Sequence, residues 1–490
     1  MKVLMLDNFF QKIESRPVLT FCLLLIFHAL VAIILFVIAN SENLSHLHNG
    51  QGFWYFAIDS TLYHQEAINS TTFLRNSQWL DWWSSYGRHQ HVKWIALVYW
   101  ATGYESPILF EIINGLVWSS SIILIYKSSK LIFNHSIVSA ITVLFFFQPS
   151  ILISSTQLLR DPFFILAICI MCYGWAILKK NNLGIVLILI GSVLFFSMRA
   201  YLSVALFMVF FLYSIILILN KEKSISTVSL LIVPLFIFML LTVQDSSHLK
   251  SFSSFEVDIQ NNSNKGENIL DPLPIQNNSN KGENILDPLP IQNNTNKGEN
   301  ILEPLPIQNN TNKGKNILDP LPIQNTGYWQ TVTGTLNILA YKLSDMRYGF
   351  RIVNRSAGSK IDNDKPYTGF VDAILYFPRV VQVAFLSPFP SHWIETGKET
   401  GRIGRMLSGL EMLSWYFIIL GFLYIVFTKP LAIEPLLPII MLSVFVIILL
   451  GYVVPNIGAI YRMRQGFMIP FYMVGVYGIY SFIELLNKKT

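Results

Sequence analysis

The apolar runs of this chain constrain its fold more than any other feature. Several reach about 18 or more residues, enough for a helix rising about 1.5 Å per residue to cross a hydrocarbon core of roughly 30 Å. Of the 490 residues, 52% are hydrophobic and 13% are charged, a composition far from that of an average soluble domain. The sequence therefore predicts an all-α polytopic membrane protein.

Ten segments are candidate transmembrane helices. They lie at about 18–39, 107–127, 136–154, 162–178, 183–198, 201–219, 226–243, 408–427, 432–453 and 466–485. The first is too long for the core of a cleaved signal peptide, so we expect an uncleaved span. With residues 1–16 in the cytoplasm, the short lysine-bearing connections and the C-terminal lysines also fall inside, which satisfies the positive-inside rule. This topology predicts a multi-pass protein of the cytoplasmic membrane with both termini cytoplasmic.

The same topology defines the domains. An N-terminal transmembrane domain (17–243) carries a first external loop (40–106), and a C-terminal transmembrane domain (408–490) follows a large external loop (244–407). Two apolar segments, 92–103 and 371–390, fit interfacial helices better than spans, because the first is short and the second contains Arg379 and three prolines. Four 16-residue tandem copies at 259–322 are rich in asparagine and proline, which predicts a disordered insertion without chemistry.

Charge and cysteine content exclude some functions. The net charge of +6 comes largely from short connections, where it sets topology, so nucleic-acid binding is not expected. Cys22, Cys169 and Cys172 lie within apolar runs and are expected to be ordinary span residues. His89 and His91 form an isolated pair, too little to assign a metal site.

The candidate functional residues gather on the external side. Asp59 follows the first span, and Arg160, Asp161, Arg199, Arg462 and Arg464 lie at three later external connections. Arginine suits a phosphate because its planar fork donates bidentate hydrogen bonds. Simpler interpretations remain open: Arg160 and Asp161 as a local pair, Arg199 and Arg462 reaching lipid headgroups, and Asp59 as a helix cap. Trp79, Trp82 and Trp83 fit an interfacial belt as well as a sugar-stacking platform.

The order of these features resembles a known enzyme group. It comprises Asp59-x-x-x-Tyr63, a Trp-rich stretch, an apolar segment ending at Gly103, Ser106-Pro107, Asn114, Gln148-Pro149-Ser150 and Leu158-Leu159-Arg160-Asp161. This succession resembles the polytopic GT-C-type glycosyltransferases, the group of protein mannosyltransferases and lipid A aminoarabinose transferases. Residues 386–390 and 461–470 are similar to the C-terminal part of uncharacterised bacterial relatives.

The resemblance implies transfer of a sugar from a polyprenyl-phosphate donor to a carbohydrate, lipid or protein acceptor outside the cytoplasmic membrane. It implies Asp59 as the base, and basic residues as phosphate ligands. Tyr63, Arg160, Asp161, Arg199, Arg462 and Arg464 are the substrate-binding candidates. Many relatives carry two adjacent acids here, whereas Ser60 follows Asp59, so Glu66 and Asp81 are alternative bases. No cofactor is assigned, and a metal requirement is left open.

The chemistry is consistent with this resemblance. Displacing a lipid phosphate from an anomeric carbon needs a base for the incoming hydroxyl and positive charge for the departing phosphate.

Two other functions are compatible with the sequence. An O-antigen or exopolysaccharide polymerase also has many spans and external arginines, and would rely on Arg351 or Arg355 more than on Asp59. A lipid-linked sugar flippase or other transporter would line its path with polar groups at mid-membrane. Glu111 and Glu434 are the acids that this interpretation places in or near spans, each close to an end.

Overall fold

The computed structural model describes residues 16–86, 89–178, 180–219, 236, 328–354, 357–365, 367–397 and 401–488. The chain divides into one unit of Met1–Ser246 with Val332–Thr490 and a second unit of Ser247–Thr331. The second unit contains the tandem copies, which lie outside the described residues, so the disordered insertion stays a prediction. Within the described ranges the secondary structure is helical, with isolated bridges and no β-strand.

The helices before the repeats cover the first half of the chain. They are α1 Pro17–Ala39, α2 Asp59–Arg75, α3 Trp79–Ser84, α4 Gln90–Thr102, α5 Glu111–Phe133, α6 Ser136–Val143, α7 Pro149–Ser155, α8 Asp161–Leu178, α9 Leu183–Met198 and α10 Ser203–Leu219. Those after the repeats are α11 Tyr328–Val353, α12 Phe370–Leu386, α13 Gly401–Thr428, α14 Leu437–Val453, α15 Ile457–Met463 and α16 Gln465–Asn487.

Six helical segments are long and apolar enough to cross a membrane, which is compatible with a multi-pass membrane protein. They are Pro17–Ala39, Pro107–Phe133, Asp161–Leu178, Gly401–Thr428, Pro430–Val453 and Gln465–Asn487. A seventh candidate, Ser136–Phe147 with Pro149–Ser155, is bent by 62° at its break. Two further predicted spans correspond to the shorter apolar helices Leu183–Met198 and Ala200–Ile216. Segment 226–243 is almost entirely outside the described residues, so ten spans are not confirmed.

Small residues let the apolar helices approach closely. A Cβ atom on Gly478 of α16 would lie 1.9 Å from the carbonyl oxygen of Gly421 on α13. A Cβ on Gly184 of α9 would lie 2.6 Å from the carbonyl oxygen of Gly174 on α8. Such contacts are typical of membrane helices, where van der Waals packing of backbones drives association. The first contact fixes α13 beside α16, whose N-cap is the candidate Arg464; Arg462 lies just before it, in the last turn of α15.

Much of the predicted first external loop is helical. Helix α2 packs on α4, and Thr71 Oγ1 donates across this contact to the Ala96 carbonyl oxygen at 3.3 Å. Helix α4 ends where Gly103 takes the left-handed conformation at φ 71°, which glycine adopts readily. Helix α12 occupies most of the predicted interfacial segment 371–390 and contains Pro378. Both segments are therefore helical, and their interfacial placement stays a prediction.

Candidate functional site

Helix α2 presents three of the predicted residues on one face. Asp59, Tyr63 and Glu66 are spaced by four and three residues, which places them on neighbouring turns of a helix. Asp59 is in the first turn, where the positive end of the helix dipole favours a carboxylate. The predicted Asp-x-x-x-Tyr spacing thus has a structural basis.

Asp59 is paired with an arginine from the far end of the chain. Arg462 NH2 donates to Asp59 Oδ2 at 2.6 Å, although 403 residues separate them. Arg462 lies in the last turn of α15, whose start is capped by Asn456, with its side chain accepting from the Ala459 backbone at 3.2 Å. Both side chains keep about a third of their surface exposed, at 35% for Asp59 and 34% for Arg462. The pair is therefore accessible to a ligand.

A second, buried pair adjoins the first. Arg199 NH2 donates to Asp161 Oδ1 at 2.5 Å, and Arg462 Nε lies 3.9 Å from Asp161 Oδ2. Arg199 also donates to the Met463 carbonyl oxygen at 3.4 Å. Asp59, Asp161, Arg199 and Arg462, together with Arg160, are called here the arginine–aspartate cluster. The sequence alternatives of a local Arg160–Asp161 pair and of lipid-facing arginines do not describe this arrangement.

Arg160 is the spare cation of the cluster. Its field acts on Tyr63 and on Asp161, so it lies close to both, and its surface is partly buried. Within the described ranges it forms no ion pair, whereas Arg199 and Arg462 each have an aspartate. Three arginines against two aspartates leave one positive charge. The cluster is therefore suited to an anion.

The cluster holds its groups in defined protonation states at neutral pH. Burial alone would lower the pKa of Arg462, but Asp161 and Asp59 outweigh this effect and raise it above its ordinary value. The pKa of Arg199 is raised in the same way, against its burial, by Tyr201 and Asp161. Burial raises the pKa of Tyr63 to about 12, with Arg160 opposing. The arginines therefore stay charged, and Tyr63 keeps its proton.

A histidine layer lies against the same face of α2. His89 Nδ1 and Glu66 Oε2 are 2.7 Å apart, and the Tyr63 ring meets His89 and His91 edge-on at 5.0 and 4.3 Å between centroids. Burial, together with Arg160 and His89, lowers the pKa of His91 well below its ordinary value. Glu66 thus belongs to a His–carboxylate pair beside the cluster. In the described part of the chain, no three His, Cys, Asp or Glu side chains are placed to hold a metal ion.

Two predicted residues lie outside this arrangement. Asp81 is exposed on α3, and among the described residues it makes no ion pair. Arg464 is fully buried and donates to the carbonyl oxygens of Ala384, at 2.5 Å, and Ser387. Burial lowers the pKa of Arg464 to about 10. Its contacts tie the end of α12 to the start of α16, which is a structural role.

Glu411 is a buried carboxylate near the site that is not among the residues predicted from the sequence. Glu411 of α13 accepts from the Ser150 backbone at 2.8 Å, from Ser150 Oγ at 2.6 Å, and from the Tyr461 hydroxyl. Tyr461 directly precedes Arg462, so Glu411 helps to position the arginine that pairs with Asp59. The signal was present: a single acid within the apolar run 408–427 is costly unless it has partners.

No protein-family model, characterised protein or solved structure matches this chain.

Proposed function

We propose that this protein is a membrane glycosyltransferase that moves a sugar from a polyprenyl-phosphate donor to an acceptor on the external face of the cytoplasmic membrane. One observation carries the proposal: Asp59 and three arginines from separate segments come together in the arginine–aspartate cluster. The GT-C resemblance assigns the base to Asp59 and the phosphate ligands to Arg160, Arg199 and Arg462.

Arg160 is the primary phosphate ligand in this proposal. It has spare charge, and a guanidinium can donate two parallel hydrogen bonds to phosphate oxygens. Arg462 is partly exposed and can add a second contact, while buried Arg199 supports it through Asp161. A lipid phosphate bound here keeps its polyprenyl chain in the membrane while the sugar faces outward.

Asp59 becomes available as a base when Arg462 turns to the phosphate. The acceptor hydroxyl gives its proton to Asp59 and its oxygen bonds to the anomeric carbon. The bond from that carbon to the phosphate oxygen breaks, and the phosphate leaves with the electron pair. The arginines stabilise the negative charge that develops on this leaving group. Attack opposite the phosphate inverts the anomeric configuration. Tyr63, which keeps its proton, donates a hydrogen bond to the substrate in this proposal.

The test compares surface-sugar precursors in cells. A deletion strain should accumulate one lipid-linked monosaccharide, detected by mass spectrometry of polyprenyl-phosphate sugars. Wild-type protein should remove the accumulation and Asp59→Asn should not. Glu484→Gln is the matched control, since Glu484 is a half-exposed carboxylate near the end of α16 whose ion-pair partner among the described residues is Lys488. Accumulation of no lipid-linked monosaccharide in the deletion strain would refute the proposed function.

Transport of a lipid-linked sugar is the second candidate, and one observation favours it. The candidate span formed by α6 and α7 is broken, and its second half begins at Pro149, next to Ser150, whose backbone N–H donates to buried Glu411. Broken helices with charged groups at their ends are common in transporters. A transporter would leave the sugar on its lipid in both leaflets, whereas a transferase consumes that lipid.

The polymerase alternative receives no comparable support. Arg351 pairs with Asp364 at 2.9 Å on an exposed surface, and Arg355 lies outside the described residues. Accumulation of a complete repeat unit in the deletion strain would favour a polymerase.

A further inference from the structure

A second polar site lies at the start of α5. Glu111 is only 7% exposed there. Its Oε1 accepts from Asn114 Nδ2 at 3.1 Å, but its Oε2 is buried and has no hydrogen-bond partner among the described residues. Asn114 Nδ2 also donates to the Gln157 carbonyl oxygen at 3.1 Å, which leaves Asn114 Oδ1 buried and unpaired as well. Two oxygen acceptors are therefore unused within one turn of helix.

Another buried glutamate, Glu411, does not share this shortage of hydrogen-bond donors. Glu411 is also 7% exposed and within an apolar helix, but its two oxygens accept three hydrogen bonds from Ser150 and Tyr461. Glu111 receives one. An ionised carboxylate in apolar surroundings is costly unless positive charge or hydrogen bonds compensate it. Glu111 thus lacks the hydrogen bonds that compensate the burial of the Glu411 carboxylate.

A small cavity lies next to Glu111. Glu111, Thr156 and Gln157 supply its polar lining, and residues of α1 and the segment 52–53 supply much of the apolar wall. The cavity has room for about one water molecule. A dehydrated monovalent cation is of similar size, whereas a sugar or nucleotide is far too large.

We propose that this cavity binds one Na⁺ ion, with Glu111 as the charged ligand and neighbouring oxygen atoms completing its coordination. One carboxylate neutralises one positive charge, while Ca²⁺ takes six to eight oxygen ligands and usually several carboxylates. Backbone carbonyls of unwound segments coordinate Na⁺ in secondary transporters, and residues 156–158 form a non-helical segment at this cavity. The ion would tie α5 to residues 156–158, which are separated from Arg160 only by Leu159. The site does not depend on the proposed transferase activity.

The experiment uses the full chain purified in detergent. Binding of ²²Na⁺ is measured by scintillation proximity, and thermal unfolding is followed in NaCl and in N-methyl-D-glucamine chloride at equal ionic strength. We expect saturable binding and a higher unfolding temperature in Na⁺ for the wild type. Both effects should be lost in Glu111→Gln and retained in Glu484→Gln, a surface control.

Each outcome decides the proposal. Absence of saturable ²²Na⁺ binding to the wild type overturns it, as does full retention of binding in Glu111→Gln. Stabilisation by acid without Na⁺ binding also overturns it, because Glu111 would then be neutralised by a proton. If Glu111→Gln fails to fold, Glu111→Asp is used, since its shorter carboxylate retreats from the cavity; unchanged Na⁺ affinity in that variant refutes the site.

Discussion

The two ion pairs of the arginine–aspartate cluster should differ sharply in their contribution to stability. Asp161 and Arg199 have side chains only 10% and 4% exposed, whereas Asp59 and Arg462 are 35% and 34% exposed. In Asp161→Asn the charge of Arg199 is left buried without its partner, which typically costs about 3–5 kcal/mol. In Asp59→Asn, Arg462 keeps solvent and Asp161 nearby, so we expect a loss below about 1 kcal/mol.

The free energy of unfolding is measured by SDS titration of both variants in mixed micelles. A double variant, Asp161→Leu with Arg199→Met, is the control, because removing both buried charges avoids an unpaired one and should recover much of the loss. The reasoning is refuted if Asp161→Asn unfolds no more easily than Asp59→Asn. It is also refuted if the double variant is less stable than Asp161→Asn alone.

Three further predictions follow from single side chains. Arg160→Ala should weaken binding of a polyprenyl phosphate by at least about tenfold, since loss of a charged hydrogen bond costs roughly 1.5–3 kcal/mol; unchanged affinity in a vesicle-binding assay contradicts this role. Because the pKa of His91 is lowered on folding, the folded state binds fewer protons, so stability should fall as pH drops below the unfolded value of 6.5. His91→Phe should flatten that slope, and an unchanged slope assigns it to other groups. Gly478→Ala should cost about 1–3 kcal/mol or more through its clash with α13, whereas Gly349→Ala, with open space around it, should not destabilise the protein.

The sequence predicts Asp59, Tyr63 and Glu66 as candidates in an external loop, but it does not predict α2, which lacks the long apolar run that marks the spans. Only the helix places the three side chains on one face. The pairing of Asp59 with Arg462 could not be predicted either, since 403 residues and the packing of several helices intervene. The positive-inside rule predicts that the candidate arginines lie on one side of the membrane, but it carries no information on the distances between their side chains.

Arg462 and Arg464 show why residue type alone does not give a role. They are two positions apart and were predicted as substrate ligands from the same segment, but α15 ends between them. Arg462 faces Asp59, while Arg464 turns into the interior and binds backbone carbonyls of α12. Glu411 is the opposite case: it was not among the predicted residues, although a lone acid in an apolar run is costly without partners, so a buried polar contact could have been predicted from the sequence.

Asp59 is the proposed base in the transfer of a lipid-linked sugar. The most direct measurement is the level of polyprenyl-phosphate monosaccharide in a deletion strain complemented with Asp59→Asn at wild-type membrane abundance. We predict accumulation equal to that of the deletion strain, with normal levels for Glu484→Gln. Complementation by Asp59→Asn equal to that of the wild type would contradict the assignment of Asp59 as the base.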